Sequence, residues 1–346
     1  MDPIEECTVV IVGAGPIGLE TAIELKARGH EPVVVDGGAI GQQIVDFPPL
    51  TRWFSSAERL GIAGLPFVTS ASEKGTREEY LAYLRTAVAY FGIDVRTFQR
   101  VHDIERKMDD RFVIQTTALS GSTHAFGAPK LVLATGGTAR ARSLGIPGEE
   151  LPHVRVRFSE PHRYYGRRLV IVGGKNSACD AAVFAQRCGA HVTLVCRGES
   201  IHPRVKYWIR PELEAMITSG QVRALFESQV VGIDRTKVSV CVAETTDLLE
   251  LEADDVFLAI GFESDGSLFE MVGAELEGEA GSVAHDSKTM ETTQPGVYVA
   301  GTAVAGTQAR FKVYIENSHI HARRIAAALS GQEPPDEPEY PLLPES

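Results

Sequence analysis

One structural unit is written twice in this chain, and the repetition constrains its fold more than any other feature. Thr8–Val12 is a short β-branched run leading into Gly13-Ala14-Gly15-Pro16-Ile17-Gly18. A helical pattern (Leu19, Ile23, Leu25), a stop at Gly29 and a second strand, Pro32–Val35, follow, ending on Asp36. Leu169–Val172, Gly173-Gly174-Lys175-Asn176-Ser177-Ala178, a helix with Ala182 and Phe184, a stop at Gly189 and the strand His191–Val195 repeat the design. Gly13 and Gly173 are 160 positions apart, as are Gly29 and Gly189. A lone G-x-G-x-x-G says little, but a strand before it, a helix after it and a second strand at the right distance make a dinucleotide-binding signature. The first glycine turns the chain tightly, and small residues let backbone approach a pyrophosphate. The helix start then offers free N–H groups and a positive dipole end.

The copies differ where their nucleotides should differ. Asp36 ends the second strand of the first copy, placed to accept hydrogen bonds from an adenosine ribose and to repel a 2′-phosphate. The matching residue of the second copy is the uncharged Cys196, followed by Arg197, with Arg204 and Lys206 further on and His202 between. Charge-assisted bonds to phosphate are worth roughly 1.5–3 kcal/mol each, so two of them favour NADPH over NADH by about two orders of magnitude. Lys175 replaces the usual middle glycine of the second fingerprint. Its side chain either crowds the pyrophosphate or swings out and pairs with it, and the helix-starting character of Asn176 and Ser177 favours the second. The NADPH set is therefore Gly173, Lys175, Asn176, Ser177, Ala178, Arg197, Arg204 and Lys206.

A chain of 346 residues exceeds one ordinary core, so two domains are expected. A formal net charge of -12 argues against nucleic acid or an anionic membrane as the main partner. Apolar runs such as Leu169–Val172 are strand-length, far short of a spanning helix, and the acidic start Met1–Glu6 lacks the basic region of a signal peptide. Cys7, Cys179, Cys188, Cys196 and Cys241 form no C-x-x-C pair and no metal pattern. They read as small buried hydrophobes in a reducing, cytoplasmic setting, and no metal is expected.

Between and after the copies run strand-like segments (Asp94–Phe98, Arg111–Thr117), an amphipathic helix around Tyr80–Tyr90, and apolar strands ending in small turns, 131–137 and 256–262. Gly296–Thr302 leads into a long helix through Ile315 and Ile325 to Leu329, and Gly331–Ser346, rich in proline and acids, reads as a disordered tail.

A chain that opens and closes with one dinucleotide domain and carries a second inside it resembles the low-molecular-weight thioredoxin reductases, over about residues 8–329. The resemblance implies an α/β architecture of two Rossmann-like, doubly wound, three-layer domains. Residues 1–145 and 262–346 form the FAD-binding domain and 146–261 the NADPH-binding domain inserted in it. Ala134-Thr135-Gly136 and Ala259-Ile260-Gly261 become the crossovers, placing Gly261 beside NADPH. Gly13, Gly15, Gly18 and Asp36 hold the ADP half of FAD, with Pro16, Ile17, Gln43 and Gly136 in the same site. Thr135, Gly301, Thr302 and Lys312 lie toward the flavin.

Two departures separate the chain from that group. The dithiol positions are Val156 and Ser159, and Thr302 replaces an aspartate at the flavin's ribityl chain. Both are resolved by a closer resemblance to the YpdA-type bacillithiol disulfide reductases, carried by Phe47-Pro48-Pro49, Phe54–Leu60, Gly64–Phe67, Gly173–Ala178 and Ile315-Glu316-Asn317. That resemblance implies an NADPH-dependent FAD oxidoreductase for the disulfide of a small cytoplasmic thiol, and a homo-oligomer. One departure persists: family members commonly carry cysteine where this chain has Ile17. The catalytic group is therefore unassigned, with Cys179 the nearest cysteine in motif terms and His162, His319 and His321 as proton-donor candidates. Two alternatives stay open. One is an electron transferase of the ferredoxin or flavodoxin–NADP reductase type, for which Tyr340 is the candidate flavin-stacking aromatic. The other is a flavin- and NADPH-binding regulatory protein. Trp53 and Phe54 read as core packing before pocket wall.

Overall fold

The structure, a computed structural model, describes residues 4–70, 73–242, 248–310 and 312–336. Tyr340 and the tail from residue 337 lie outside the described residues. The frame consists of strands β1 (Val9–Val12), β2 (Pro32–Val35), β3 (Asp94–Arg96), β4 (Leu131–Leu133), β5 (Val154–Arg155), β6 (Arg168–Val172), β7 (His191–Val195), β8 (Val222–Leu225), β9 (Asp255–Leu258) and β10 (Val297–Val299). Its main helices are α1 (Pro16–Ala27), α2 (Arg77–Phe91), α3 (Asn176–Arg187), α4 (Arg210–Thr218) and α5 (His319–Leu329).

The chain divides into two units. The first takes the described residues up to Val45, Arg52–Arg140 and those from Phe262 onward; the second takes Asp46–Thr51 and Ala141–Gly261. The sequence pattern places the first boundary at 145 and the 46–51 segment on the FAD side. The structure groups that segment with the second unit, where Asp46 pairs with Arg157.

In the first unit the sheet order is β10-β4-β1-β2-β3, every pair parallel. A parallel sheet covered on both faces needs apolar residues at every position, not alternate ones. Accordingly, all of Val-Val-Ile-Val in β1 and Leu-Val-Leu in β4 is buried. The helix α1 packs on β2 and α5. Gln99–Arg106, Phe112–Ala118 and Thr123–Ala128 form an antiparallel sheet with Ile4–Glu6 added in parallel at its edge. A capping box of Thr76 and Glu79 starts α2, and Gly92 in the left-handed region ends it.

The second unit repeats the plan with order β5-β9-β6-β7-β8, again all parallel. Alternation along β6 divides its core: Leu169 and Ile171 face α3 and α4, while Val170 and Val172 face an antiparallel sheet of Ser228–Ile233, Lys237–Val242 and Leu248–Glu252. The last helix is shorter than its apolar pattern suggests, beginning at His319 rather than near Ile315. Side chains decide this. Gln308 accepts from the Lys312 and Val313 N–H groups, and Asn317 accepts from Tyr314 N–H and donates to Lys312 C=O. Those bonds hold 308–310 and 312–317 as loop rather than helix.

Candidate functional site

At the end of β1, Gly13 has φ 117°, and a Cβ there would lie 2.3 Å from the Ala134 carbonyl oxygen. Gly15 caps α1 without a side-chain bond, and Pro16 is the first helical residue. The opening N–H groups of α1 are thus not consumed by a cap. A Cβ on Gly18 would lie 1.9 Å from the Gly13 carbonyl oxygen. Glycine at both positions is what lets the helix start close onto the loop. Asp36 binds both sides of this cradle: Ala14 N–H donates to Oδ2 and Gly38 N–H to Oδ1, each at 2.7 Å. Burial pushes its carboxyl up, against these two donors and Arg100. A carboxylate has about four lone-pair sites, so two remain for a ribose.

Two more segments converge on the cradle. Gln43 donates to the Thr135 carbonyl at 2.7 Å and accepts from Thr138 Oγ1 at 2.7 Å. A Cβ on Gly136 would lie 2.4 Å from the Gln43 side chain. Gln43 is therefore a clamp on the 135–138 turn. The Thr135 hydroxyl oxygen is buried and has no hydrogen-bond partner among the described residues, a cost of roughly 1–3 kcal/mol that a polar ligand atom would relieve. The turn at Gly301, φ 69°, closes the third side; its Cβ would lie 3.3 Å from Ile17 Cβ. Thr302 follows in the same short turn, Gly301–Ala305, and its carbonyl oxygen would lie 3.4 Å from a Cβ on Gly137. The fingerprint, the 134–138 turn and the 301–306 turn thus approach one another through glycines, with an unanswered hydroxyl among them, and these donors fit a flavin dinucleotide. Lys312 is exposed, held through its backbone by Gln308 and Asn317.

Two histidines missed as structural elements support this site. His321 Nδ1 accepts from the Gly301 N–H at 3.2 Å, and burial, with His285 next, lowers its pKa to about 4. It is a neutral acceptor. His319 donates from Nδ1 to Glu20 at 2.6 Å and from Nε2 to the Arg59 carbonyl at 2.9 Å. Two acceptors facing the two ring nitrogens favour the doubly protonated ring: burial lowers its pKa, but the bonds to Glu20 and the Arg59 carbonyl outweigh it and the net shift is upward. The only sequence signal was a charged residue, Glu20, on the buried face of α1. Trp53 packs edge-on against Tyr80 at 5.0 Å, and Lys74 lies over the half-exposed Phe54 ring. His162 is exposed.

In the second unit Gly173 has φ 143°, and its Cβ would lie 2.5 Å from the Ala259 carbonyl oxygen, the same contact that Gly13 makes with Ala134. Cys196 Sγ donates to the Gly173 carbonyl at 3.0 Å, and a Cβ on Gly174 would lie 3.2 Å from that sulfur. Where the first copy has a carboxylate, the second has a small neutral donor. Lys175, not Asn176, is the residue capping α3; its backbone is extended and its side chain exposed. Ser177 and Arg197 are exposed as well, and Ala178 is buried beneath them. Gly261, φ 96°, accepts from Arg142 N–H through its carbonyl. Arg204 is exposed, and its N–H donates to His202 Nδ1 at 3.2 Å. Burial, then Lys175, then Arg204 lower the His202 pKa, and the His202 N–H donates to the Gly174 carbonyl at 3.1 Å, which sets this turn against the second fingerprint.

Lys206 departs from expectation. It is 7% exposed, and Nζ donates to Asp180 Oδ2 at 2.8 Å. Its charge is matched inside the protein and is not offered to a phosphate. Three of the cysteines are held as thiols: burial pushes Cys179 up to about 12 and Cys7 and Cys196 up to about 11. Among the described residues no three metal-ligating side chains gather, and no helix is long and apolar enough to cross a membrane.

Residues 10–301 match the family described as pyridine nucleotide-disulphide oxidoreductase. The chain is 35% identical over 324 residues to bacilliredoxin reductase Bdr of Bacillus subtilis (strain 168), covering 94% of this chain and 98% of that one. Among solved structures it resembles the bacillithiol disulfide reductase Bdr (YpdA) from Bacillus cereus, with TM-score 0.88 and 34% identity over 94% of this chain and 99% of that one. The bacillithiol disulfide reductase Bdr (YpdA) from Staphylococcus aureus gives TM-score 0.87 and 31% identity over 95% of this chain and 99% of that one.

Proposed function

Because this chain belongs to the pyridine nucleotide-disulphide oxidoreductase family, in its Bdr (YpdA) branch, we propose that it reduces a bacillithiol-type disulfide with NADPH through bound FAD. It is a flavoprotein oxidoreductase. In this reading the two units are Rossmann-like nucleotide-binding domains. NADPH and a proton are consumed, the disulfide accepts two electrons and two protons, and NADP⁺ and two thiols leave. FAD, when bound, supplies the two-electron relay between nicotinamide and disulfide.

The observation that carries this reading is the asymmetry of two otherwise matching cradles. In the first, Asp36 keeps two lone-pair sites for ribose hydroxyls, and its charge rejects a 2′-phosphate. The first-turn N–H groups of α1 receive a pyrophosphate, and Thr135 Oγ1 donates to a polar flavin or ribityl atom. In the second, Cys196 leaves the ribose edge uncharged while Lys175, Arg197, His202 and Arg204 take the phosphate. Ile17 packs against Gly301, where commonly a cysteine of this branch stands, and Cys179 is held as a buried thiol. The substrate disulfide is therefore reduced without a mixed disulfide at residue 17. The relatives' names differ in acceptor, one a bacilliredoxin and the other bacillithiol disulfide, so both belong in the assay.

The test is anaerobic. FAD-loaded protein is reduced with one equivalent of NADPH, bacillithiol disulfide or oxidised bacilliredoxin is added, and the oxidised flavin spectrum is followed. Its return with either, and not with ferredoxin or flavodoxin, supports the reading. Return only with ferredoxin or flavodoxin makes the protein an electron transferase, and slow turnover with every acceptor makes it a regulatory binder.

A further inference from the structure

The turn carrying His202 and Arg204 has no regular structure of its own, yet it is stapled to the second cradle at three points. His202 N–H donates to the Gly174 carbonyl at 3.1 Å. Lys206 N–H donates to Asn176 Oδ1 at 2.9 Å. Lys206 Nζ donates to Asp180 Oδ2 at 2.8 Å, with side chains only 8% and 5% exposed. Asn176 and Asp180 are one helical turn apart on α3, so a single residue, Lys206, is gripped by one face of that helix through both backbone and side chain. Beyond the pair, Lys206 Nζ also lies 5.8 Å from the Trp208 ring centroid. A buried charge pair strongly resists the loss of one partner, because the other charge is then left in an apolar surround. The neighbouring core is Ala178, Cys179, Ala181, Ala182 and Val205.

Resting on the NADPH reading above, we infer that the buried Asp180–Lys206 pair is a positioning device for coenzyme selectivity: it fixes the 202–206 turn beside Lys175 and so selects the phosphorylated nucleotide without touching it. Two physical consequences follow. The pyrophosphate is held by the backbone of the cradle, which precedes the turn and serves NADPH and NADH alike. The 2′-phosphate is read by His202, Arg204, Lys175 and Arg197, two of which ride on the turn. Loosening the turn therefore weakens NADPH selectively. Asp180 also cancels the one cation of the turn that faces inward, leaving the phosphate to the exposed ones.

The experiment is stopped-flow, anaerobic reduction of the FAD-loaded enzyme by NADPH and by NADH, for wild type, Asp180→Asn, Lys206→Met and the combined Asp180→Leu, Lys206→Met. Loss of phosphate positioning raises the NADPH Kd by about tenfold in each single variant and leaves NADH within about twofold. The limiting reduction rate stays unchanged, the salt dependence of NADPH binding flattens, and the combined variant is no worse than either single one. Equal weakening of both coenzymes, or an unchanged NADPH-to-NADH ratio, overturns the inference while leaving the NADPH reading intact. A wild type that does not prefer NADPH overturns that reading and the inference with it. Asp180→Asn keeps the shape of the site, so it remains measurable if Lys206→Met does not fold.

Discussion

Gly18 shows how little freedom the first cradle leaves. A methyl there would sit 1.9 Å from the Gly13 carbonyl oxygen, so Gly18→Ala must push α1 away from its loop. We expect a loss of about 3 kcal/mol in denaturant unfolding and protein purified without the yellow of flavin. His321 makes a pH prediction at the same scale. Its folded pKa of about 4 lies below the ordinary 6.5, so the neutral ring contributes stability above pH 6.5 that is lost as pH falls through 4. The whole shift corresponds to about 3 kcal/mol. In His321→Asn, an amide oxygen can accept from Gly301 N–H without titrating, and the acid limb of the stability profile should shrink by that amount. Gly18 was legible from motif spacing. The sequence offers His321 as a proton-donor candidate and hides its role as an acceptor, because its partner is a backbone N–H twenty residues upstream.

The Glu20–His319 bond ties α1 to α5, and through the Arg59 carbonyl and Ala63 N–H to the 57–63 segment. The sign here is opposite to that of His321. The folded pKa of His319 is raised, so its stabilisation is complete below pH 6.5 and is lost as pH rises through the folded value. Glu20→Gln removes the counter-charge from a nearly inaccessible site and should cost about 3 kcal/mol near pH 6, with the deficit narrowing toward alkaline pH. Chemical denaturation of both proteins from pH 5 to 9 checks this, and a deficit constant with pH would show that packing, not charge, is lost. Periodicity found α1 and α2 well. It overextends the last helix to Ile315, since an apolar pattern does not register Gln308 and Asn317 taking the backbone bonds of Lys312, Val313 and Tyr314 for a loop.

For the whole molecule, two units with separate parallel sheets and cores should respond separately to their ligands. Calorimetry of the FAD-loaded protein is expected to resolve two transitions, with NADP⁺ raising one by mass action and leaving the other in place. A single transition that NADP⁺ moves as a whole would mean that the units unfold together. What the sequence determined by itself is local and repetitive: two βαβ cradles, their glycines, the contrast of Asp36 with Cys196, and the family resemblance, all written in short-range spacing. Only the tertiary structure decided which side chains those cradles spend on themselves. Lys206 reads as a phosphate ligand until Asp180, twenty-six residues earlier, is seen to bury its charge; Gln43 is seen as the clamp on Thr135, and 46–51 is found with the second unit. Partner choice between distant side chains is set by burial and by which charges the folded chain leaves unmatched, and spacing along a sequence carries no term for either.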